Sequence, residues 1–465
     1  MPSLPTALLS SLEDIKGFDA AAFAAVHASG QQVTSIRLNP AKWPQGMDIP
    51  AGWWDSGGEE VAMERIPWSS QGYYLSRRPS FTFDPLFHAG AYYVQEASSM
   101  FLEQAVRQTA DLSRPLRVLD LCAAPGGKST LIQSLLTEDS LLVSNEVIRS
   151  RAGILQENMT KWGSMNVVVT NNDPRDLGRL ENYFDVIVVD APCSGSGLFR
   201  REPEAILEWS PDNVQLCHQR QQRILADSWP ALRKDGVLIY STCSYSREED
   251  EEILDWMSQE LGAESLRLSL DPAWNIVETE GKRGGYGYRF YPDQLKGEGF
   301  FIAAVRKQEG DTFTYPKSKK PGLDKLSKKD GEELRPWLTE KIPMFFFRHE
   351  DMVRVLPAAV AEDVAYLKDA CYLKKAGVLM GRSSVKEFIP EHELALSTAI
   401  SQQLSGIELS REEAIAYLRK EEIRPEAGRG WSLVRYLGRN LGWVKVLPNR
   451  VNNYYPKEWR ILKRP

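Results

Sequence analysis

The chain has 465 residues, with 57 Lys plus Arg against 63 Asp plus Glu, for a formal net charge of −6. Hydrophobic residues make up 42% and charged residues 26%, which excludes collagen, wholesale disorder and a disulfide-stapled miniprotein. The length suits two to four domains of roughly 100–200 residues each, and the acidic balance excludes a uniformly basic nucleic-acid coat while leaving local basic patches open.

Residues 1–85 read as a small N-terminal α/β module. A helical stretch near Phe18–His27 leads into a strand-like VTSIRLN (33–39), then a Trp-, Gly- and Pro-rich stretch to about 72. The opening MPSLPTALLSSLEDIKGF lacks a basic cluster and meets Glu13 and Asp14 early, so no secretory signal is expected. No apolar run approaches the roughly 18 residues of a membrane helix, so no membrane association is expected.

From about 115 to 306, short apolar runs alternate with amphipathic stretches. The runs are LRVLDL (116–121), LLVSNE (141–146), NVVVT (166–170), YFDVIVVD (183–190), GVLIYST (236–242) and FFIAAVR (300–306). Alternation of this kind predicts βαβ units and a mostly parallel sheet covered on both faces. KSKKPGLDKLSKK (317–329) carries six Lys and reads as part of a solvated Lys-rich linker over 309–332. Residues 333–465 form a C-terminal region. Its last part, 419–465, holds 12 Lys plus Arg against four Glu, interleaved with Trp431, Tyr436, Trp443, Tyr454, Tyr455 and Trp459. That mixture suits phosphate contacts and base stacking, and equally a well-packed small domain with a solvated charged face.

The segment LRVLDLCAAPGGKSTLIQSLL (116–136) runs from a buried strand through a small-residue turn into a helix. Ligands of open parallel sheets sit at such carboxyl ends, and Gly126 and Gly127 let backbone approach a ligand closely. Two nucleotide fingerprints fail here. The P-loop pattern needs Gly where Cys122 stands, and GxGxxG is absent. A third ligand reading is S-adenosylmethionine (SAM), with the loop Cys122, Ala123, Ala124, Pro125, Gly126, Gly127 and Lys128 against its methionine part. Glu146, 26 residues beyond Asp120, is placed for the ribose hydroxyls, and Asp173 for the adenine amino group. The bland reading is a tight strand-to-helix turn with surface acids.

Two later runs end in chemistry-bearing residues. VIVVDAPCSGSGLFRREPE (186–204) delivers Asp190 and Cys193 to the carboxyl edge, with Arg200 and Arg201 placed to meet phosphates. GVLIYSTCSYSREEDEEI (236–253) delivers Cys243 to the same edge. A methyl transferase needs a thiol when its target is cytosine C5. That carbon is too electron-poor to attack a methyl sulfonium, and thiolate addition at C6 makes it nucleophilic. A carboxyl such as Asp190 can assist at N3, and Lys128 can hold that carboxyl or favour a thiolate. The target base must leave its stack or come from a single strand. A lone strand-end Cys is more often a small buried hydrophobe, and Cys122, Cys217 and Cys371 are read that way. Five scattered Cys without a CxxC pair, and only five His, suit free thiols in a reducing, cytoplasmic setting and not a metal site. Spacing alone leaves open which thiol attacks.

Several ordered stretches carry a family resemblance: YYVQEASSM (92–100), LDLCAAPGGKST (119–130), SNE (144–146), NND (171–173), VDAPCSGSG (189–197), STCS (241–244) and GEGFFIA (297–303). The sequence resembles the Nol1/Nop2/Sun family of RNA cytosine-C5 methyltransferases, most closely its bacterial 16S rRNA branch. The resemblance implies an α/β fold: a Rossmann-like SAM-dependent methyltransferase domain (86–308) between the N-terminal RNA-binding module (1–85) and a C-terminal PUA-like RNA-binding region. It also implies roles. Cys243 attacks C6, Cys193 assists C5 deprotonation and release, Asp190 acts near N3, and Lys128 supports Asp190. Cys122 to Lys128, Glu146, Asp173 and Asp190 line the SAM site. The expected partner is RNA, 16S rRNA of the small ribosomal subunit, met by a monomer without metal. tRNA or 23S rRNA is the alternative substrate, and a non-catalytic RNA-binding assembly factor or a phosphate-binding NTPase is the alternative class.

Overall fold

Val, Ile and Leu run continuously through the segments between Leu116 and Asp190, so strands built from them have two apolar faces and must be covered twice. A computed structural model, which describes residues 3–43, 61–317, 322–339, 342–384, 386–423 and 428–463, shows this double cover. Five strands are parallel: β1 (Arg117–Asp120), β2 (Leu141–Asn145), β3 (Val167–Thr170), β4 (Phe184–Asp190) and β5 (Leu232–Thr242). Val118, Leu142, Val169, Val188 and Ile239 point into one core with Leu131 and Leu155. Leu119, Val143, Val168, Ile187 and Leu238 point into the other with Leu225 and Ile253.

The helices that cover the sheet are α1 (Gly127–Gln133), α2 (Arg149–Trp162), α3 (Pro211–Ser228) and α4 (Glu251–Glu260). Local chemistry sets their ends. Pro211 opens α3 while the Ser210 hydroxyl accepts from Asn213 N, and Gly163, at φ 96°, closes α2 in the left-handed region.

The sheet is longer than the six apolar runs and less parallel. Antiparallel strands β6 (Ala263–Leu266), β7 (Val277–Glu280), β8 (Tyr286–Phe290), β9 (Phe300–Lys307) and β10 (Leu373–Ala376) complete it. Its order is β7-β8-β9-β5-β4-β1-β2-β3-β10, with β6 beside β9. The chain reverses direction across the sheet between β1 and β4, so the crevice outside their carboxyl ends is the natural ligand position.

The N-terminal segment forms a four-stranded antiparallel sheet ordered Met63–Arg65, Gly72–Leu75, Thr34–Leu38, Tyr92–Val94. It therefore continues past residue 85, because the Tyr92 hydroxyl donates to Asp84 Oδ2 at 2.6 Å and Asn39 N donates to Ala91 O at 2.9 Å. The Trp-, Gly- and Pro-rich stretch at 44–60, Lys319 and Lys320 of the expected linker, and Arg424 in the basic tail lie outside the described residues. What is described of the linker differs from a free tether. Asp324–Lys325 pairs with Met344–His349, and Ser327 caps a helix over Lys328–Leu334 whose Leu334 is buried. The C-terminal region holds a five-stranded sheet that includes this pair, ordered Asp324–Lys325, Met344–His349, Met352–Pro357, Val378–Ser383, Phe388–Pro390, and a four-stranded one ordered Gly406–Glu408, Gly430–Tyr436, Arg439–Leu447, Arg450–Asn453. Its Leu373–Ala376 leaves both to become β10. Among the described residues, no helix is long and apolar enough to cross a membrane.

Candidate active site

The sheet brings four of the sequence-predicted groups to one edge. Asp190, the last residue of β4, pairs in register with Ser241 of β5, so the loops after both strands start side by side. The Ser241 hydroxyl donates to Asp190 Oδ1 at 2.8 Å, and Lys128 Nζ, from the first turn of α1, lies 2.9 Å from Asp190 Oδ2. Burial works to lower the Lys128 pKa, but Asp190, with Asp120 and Cys243 nearby, leaves it raised. The ammonium therefore stays charged, and it also lies over the Phe300 ring at 5.1 Å. Beyond Asp190, Cys193 Sγ and Cys243 Sγ are hydrogen-bonded at 2.7 Å, each a free, half-buried thiol. The bond from Cys243, then burial, push the Cys193 thiol well above its ordinary pKa.

Each thiol loop is fixed by its own backbone and by its neighbour. Gly197 N donates to Cys243 O at 2.8 Å, and Tyr245 N donates to Ser196 Oγ at 2.9 Å. Thr242, before Cys243, donates to Asp250 Oδ1 at 2.7 Å, while Arg289 holds Tyr245 O at 2.8 Å and pairs with Asp250 and Glu251. The serines after both cysteines meet the buried Glu249. Sequence reasoning missed Glu249 and Arg289. The run REEDEE reads as a solvated helix start, and only the strand-end position of Cys243 hinted that the acids beyond it must fold back.

The predicted cofactor loop leaves β1 and climbs into α1. Gly126, at φ 116°, occupies the left-handed region that only Gly enters without strain. Ala123 N donates to Asn145 O at 2.8 Å, Arg151 to Ala124 O at 2.8 Å, and Asn158 to Pro125 O at 2.8 Å, so β2 and α2 hold the loop. Ala123 and Ala124 are buried, Pro125 is exposed, and Cys122 and Gly127 are half-buried. Glu146, 3% exposed just past β2, accepts from Ile148 N at 2.8 Å and pairs with Arg151 at 3.4 Å. Asp173 accepts from Arg175 N at 3.1 Å. Beneath them lies Asp120, unexposed, with Oδ2 bonded to Ser129 and Oδ1 without a partner. Burial pushes its carboxyl up to about 7 against the pull of Ser129. One expectation changes. Arg200 is buried, donating to Gln31 O at 2.7 Å and Gly297 O at 3.0 Å beside Glu298, so it is not free for phosphate; Arg201 is exposed. Arg37, unremarked in the sequence, is buried against α1, donating to Thr130 Oγ1 at 2.6 Å and Gln95 Oε1 at 2.8 Å.

Strand order, a glycine loop at the switch point and acids at successive strand ends define the class: a Rossmann-like, SAM-dependent methyltransferase fold carrying two thiols at its carboxyl edge. Three family models match along the chain. They are the N-terminal domain of 16S rRNA methyltransferase RsmF at residues 4–97, 16S rRNA methyltransferase RsmB/F at 109–306, and the methyltransferase RsmF PUA domain at 405–461. The ribosomal RNA small subunit methyltransferase F of Vibrio atlanticus (strain LGP32) is 30% identical over 416 residues, covering 85% of each chain. That of Aeromonas salmonicida (strain A449) is 29% identical over 442 residues, 92% of this chain and 90% of its own. Among solved structures, a methyltransferase homolog protein from Pyrococcus horikoshii is 27% identical at TM-score 0.50, covering 65% of this chain and 100% of its own. NSun6 from the same organism, solved with SFG, is 21% identical at TM-score 0.55, covering 66% of this chain and 99% of its own, and shares the fold. The chain belongs to the RsmB/F family of 16S rRNA methyltransferases.

Proposed function

We propose that this protein methylates C5 of cytosine in 16S rRNA of the small ribosomal subunit, through a covalent bond between Cys243 and C6 of the base. The observation that carries the proposal is the pair of strand-end thiols, 2.7 Å apart, beside the Lys128–Asp190 ion pair. The residues around the loop fit SAM. Glu146 offers a buried carboxylate to a diol, and Asp173 a half-buried one to an amino group. The orphaned Asp120 Oδ1 marks a polar floor. Cys122 to Lys128, Glu146, Asp173 and Asp190 would hold it. When bound, SAM supplies an electrophilic methyl group.

The protein's own residues do the rest. Cys243 gives up its thiol proton, its Sγ adds to C6 and electron density moves to C5, while a proton held between Asp190 and N3 neutralises the charge added to the ring. Lys128 fixes Asp190 and places a positive charge near Cys243. After C5 is methylated, Cys193 takes the C5 proton. The C5–H electrons form the C5–C6 double bond, and the C6–S bond breaks to release Cys243. The raised pKa of Cys193 means that it rests as a thiol, so it must first lose that proton to solvent before its sulfur can take the one from C5. The family match to a PUA domain at 405–461, and the basic, aromatic tail there, support RNA binding by the C-terminal region. We assign RNA binding to the N-terminal module as well, and a monomeric, cytoplasmic enzyme.

The test is a trap. Cys193→Ala protein is incubated with SAM and either bacterial RNA or small subunits, and a denaturing gel is read for RNA that migrates with protein. Cys193→Ala should accumulate an adduct with 16S rRNA; Cys243→Ala should form none and transfer no methyl group. Trapped tRNA would overturn the substrate, and equal, mild effects of both changes would overturn the two-thiol assignment.

A further inference from the structure

Glu249 is unexposed, and its four donors are all neutral. Oε1 accepts from Ser194 N at 2.8 Å and Gln221 Nε2 at 3.0 Å; Oε2 accepts from the hydroxyls of Ser194 at 2.5 Å and Ser244 at 2.6 Å. Ser194 follows Cys193, and Ser244 follows Cys243. One carboxylate therefore closes the loop after β4 onto the loop after β5, one residue from each sulfur. Gln221, from α3, also donates to Pro192 O at 3.1 Å, so the tie extends to the residue before Cys193. A buried carboxylate without a cation is costly unless its lone pairs are filled, and here four bonds fill them. Burial raises its pKa, and the bonds from Ser194 and Ser244 oppose that rise.

We propose that Glu249 is a positioning residue that sets the apposition of the Cys193 and Cys243 sulfurs through Ser194 and Ser244. This rests on the two-thiol reading for its consequence in catalysis, but not for its geometry. Other bonds cross between the loops, from Gly197 N, from Tyr245 N and, at 3.4 Å, between the Ser194 and Ser244 hydroxyls that Glu249 holds. The Gly197 bond places the Cys243 backbone but reaches the Cys193 side four residues from its sulfur, whereas the Glu249 tie acts one residue from each sulfur.

The conservative variant separates the tie from its charge. In Glu249→Gln the amide oxygen still accepts from Ser194 N and Gln221, and the amide nitrogen donates to both hydroxyls, which turn to accept. Glu249→Ala removes the tie altogether. The readout is the rate at which diamide closes a Cys193–Cys243 disulfide, followed by peptide mass; the two thiols give up two electrons and two protons to the diamide. Glu249→Ala should close about tenfold more slowly than wild type, the effect of one or two charge-assisted hydrogen bonds. Glu249→Gln should recover to within about threefold. If Glu249→Ala does not fold, Ser194→Ala with Ser244→Ala removes the hydroxyl arms and should slow closure by a smaller factor. Closure at the wild-type rate in Glu249→Ala, or in the double serine variant if that stands in, would overturn the proposal. So would a Glu249→Gln protein as slow as Glu249→Ala. Methyl transfer is read in parallel. Slowed closure with unchanged kcat would leave the positioning role standing and sink the two-thiol mechanism instead.

Discussion

Gly197→Ala tests how tightly the thiol loops are packed. A Cβ built on Gly197 would lie 2.5 Å from Gly299 O and 2.7 Å from Cys243 O, both backbone atoms. Ordinary contact begins at 3.4 Å, so these oxygens must retreat by about 0.9 and 0.7 Å. No side chain can rotate away to absorb this. The bond from Gly197 N to Cys243 O, now 2.8 Å, would stretch, and the carbonyl of the residue we assign as nucleophile would move with it. A displacement approaching 1 Å at a reacting group costs roughly 100-fold in rate, and overpacking of this kind costs about 1–3 kcal/mol in stability. Single-turnover transfer of labelled methyl from SAM should therefore fall about 100-fold. SAM affinity should hold, because the atoms a Cβ on Gly197 would meet belong to Gly299 and Cys243 and not to the loop at Cys122–Lys128. Urea unfolding measures the stability loss. A variant that turns over within threefold of wild type would refute the reasoning, since the clash would then have been relieved without moving Cys243.

Arg37→Leu should strip Thr130 and Gln95 of a buried partner and cost about 2 kcal/mol in denaturant unfolding. Because Thr130 sits in α1, SAM affinity should weaken more than the rate at saturating SAM. Asp120 keeps its proton in the folded state up to about pH 7, whereas the unfolded chain releases it near 3.8. Stability should then fall as pH rises between those values, by at most about 1.4 kcal/mol per unit, and Asp120→Asn should flatten that slope in unfolding curves. His392 is the mirror case. Burial lowers its pKa to about 3 and leaves both ring nitrogens without partners, so the unfolded chain takes up a proton below pH 6.5 that the folded chain refuses. Stability should drop as pH falls from 6.5 toward 3, and His392→Phe should reduce the drop.

The parallel half of the sheet was legible because each of its strands is a run of Val, Ile or Leu flanked by turn residues. Of the antiparallel half, only β9, the run FFIAAVR, was. β7 is VETE, β8 is YGYRF and β10 is LKKA, sequences whose burial is decided by partners far along the chain. The site was legible where position along a strand carries the information: Asp190 ends a run, Cys193 lies three residues past it, Cys243 follows a run directly, and Lys128 follows the glycines of the turn. It was illegible where charge is buried. Glu249 and Arg200 have the composition of surface residues, and only their partners, Ser194, Ser244 and Gly297, make them interior.

β10 has a consequence for how the chain is made. It covers the free edge of β3, yet it lies about 200 residues downstream, pairing Leu373 with Thr170 and Ala376 with Val168. During synthesis the strand at that end of the catalytic sheet stays uncovered until residue 376 has left the ribosome. An unpaired edge of Val-Val-Val-Thr is a template for the wrong partner. A nascent chain truncated near residue 308 should therefore associate through β3 rather than settle as a soluble catalytic fragment. Completion of the catalytic sheet is thus timed to translation of the C-terminal region, which supplies the strand that covers its β3 edge.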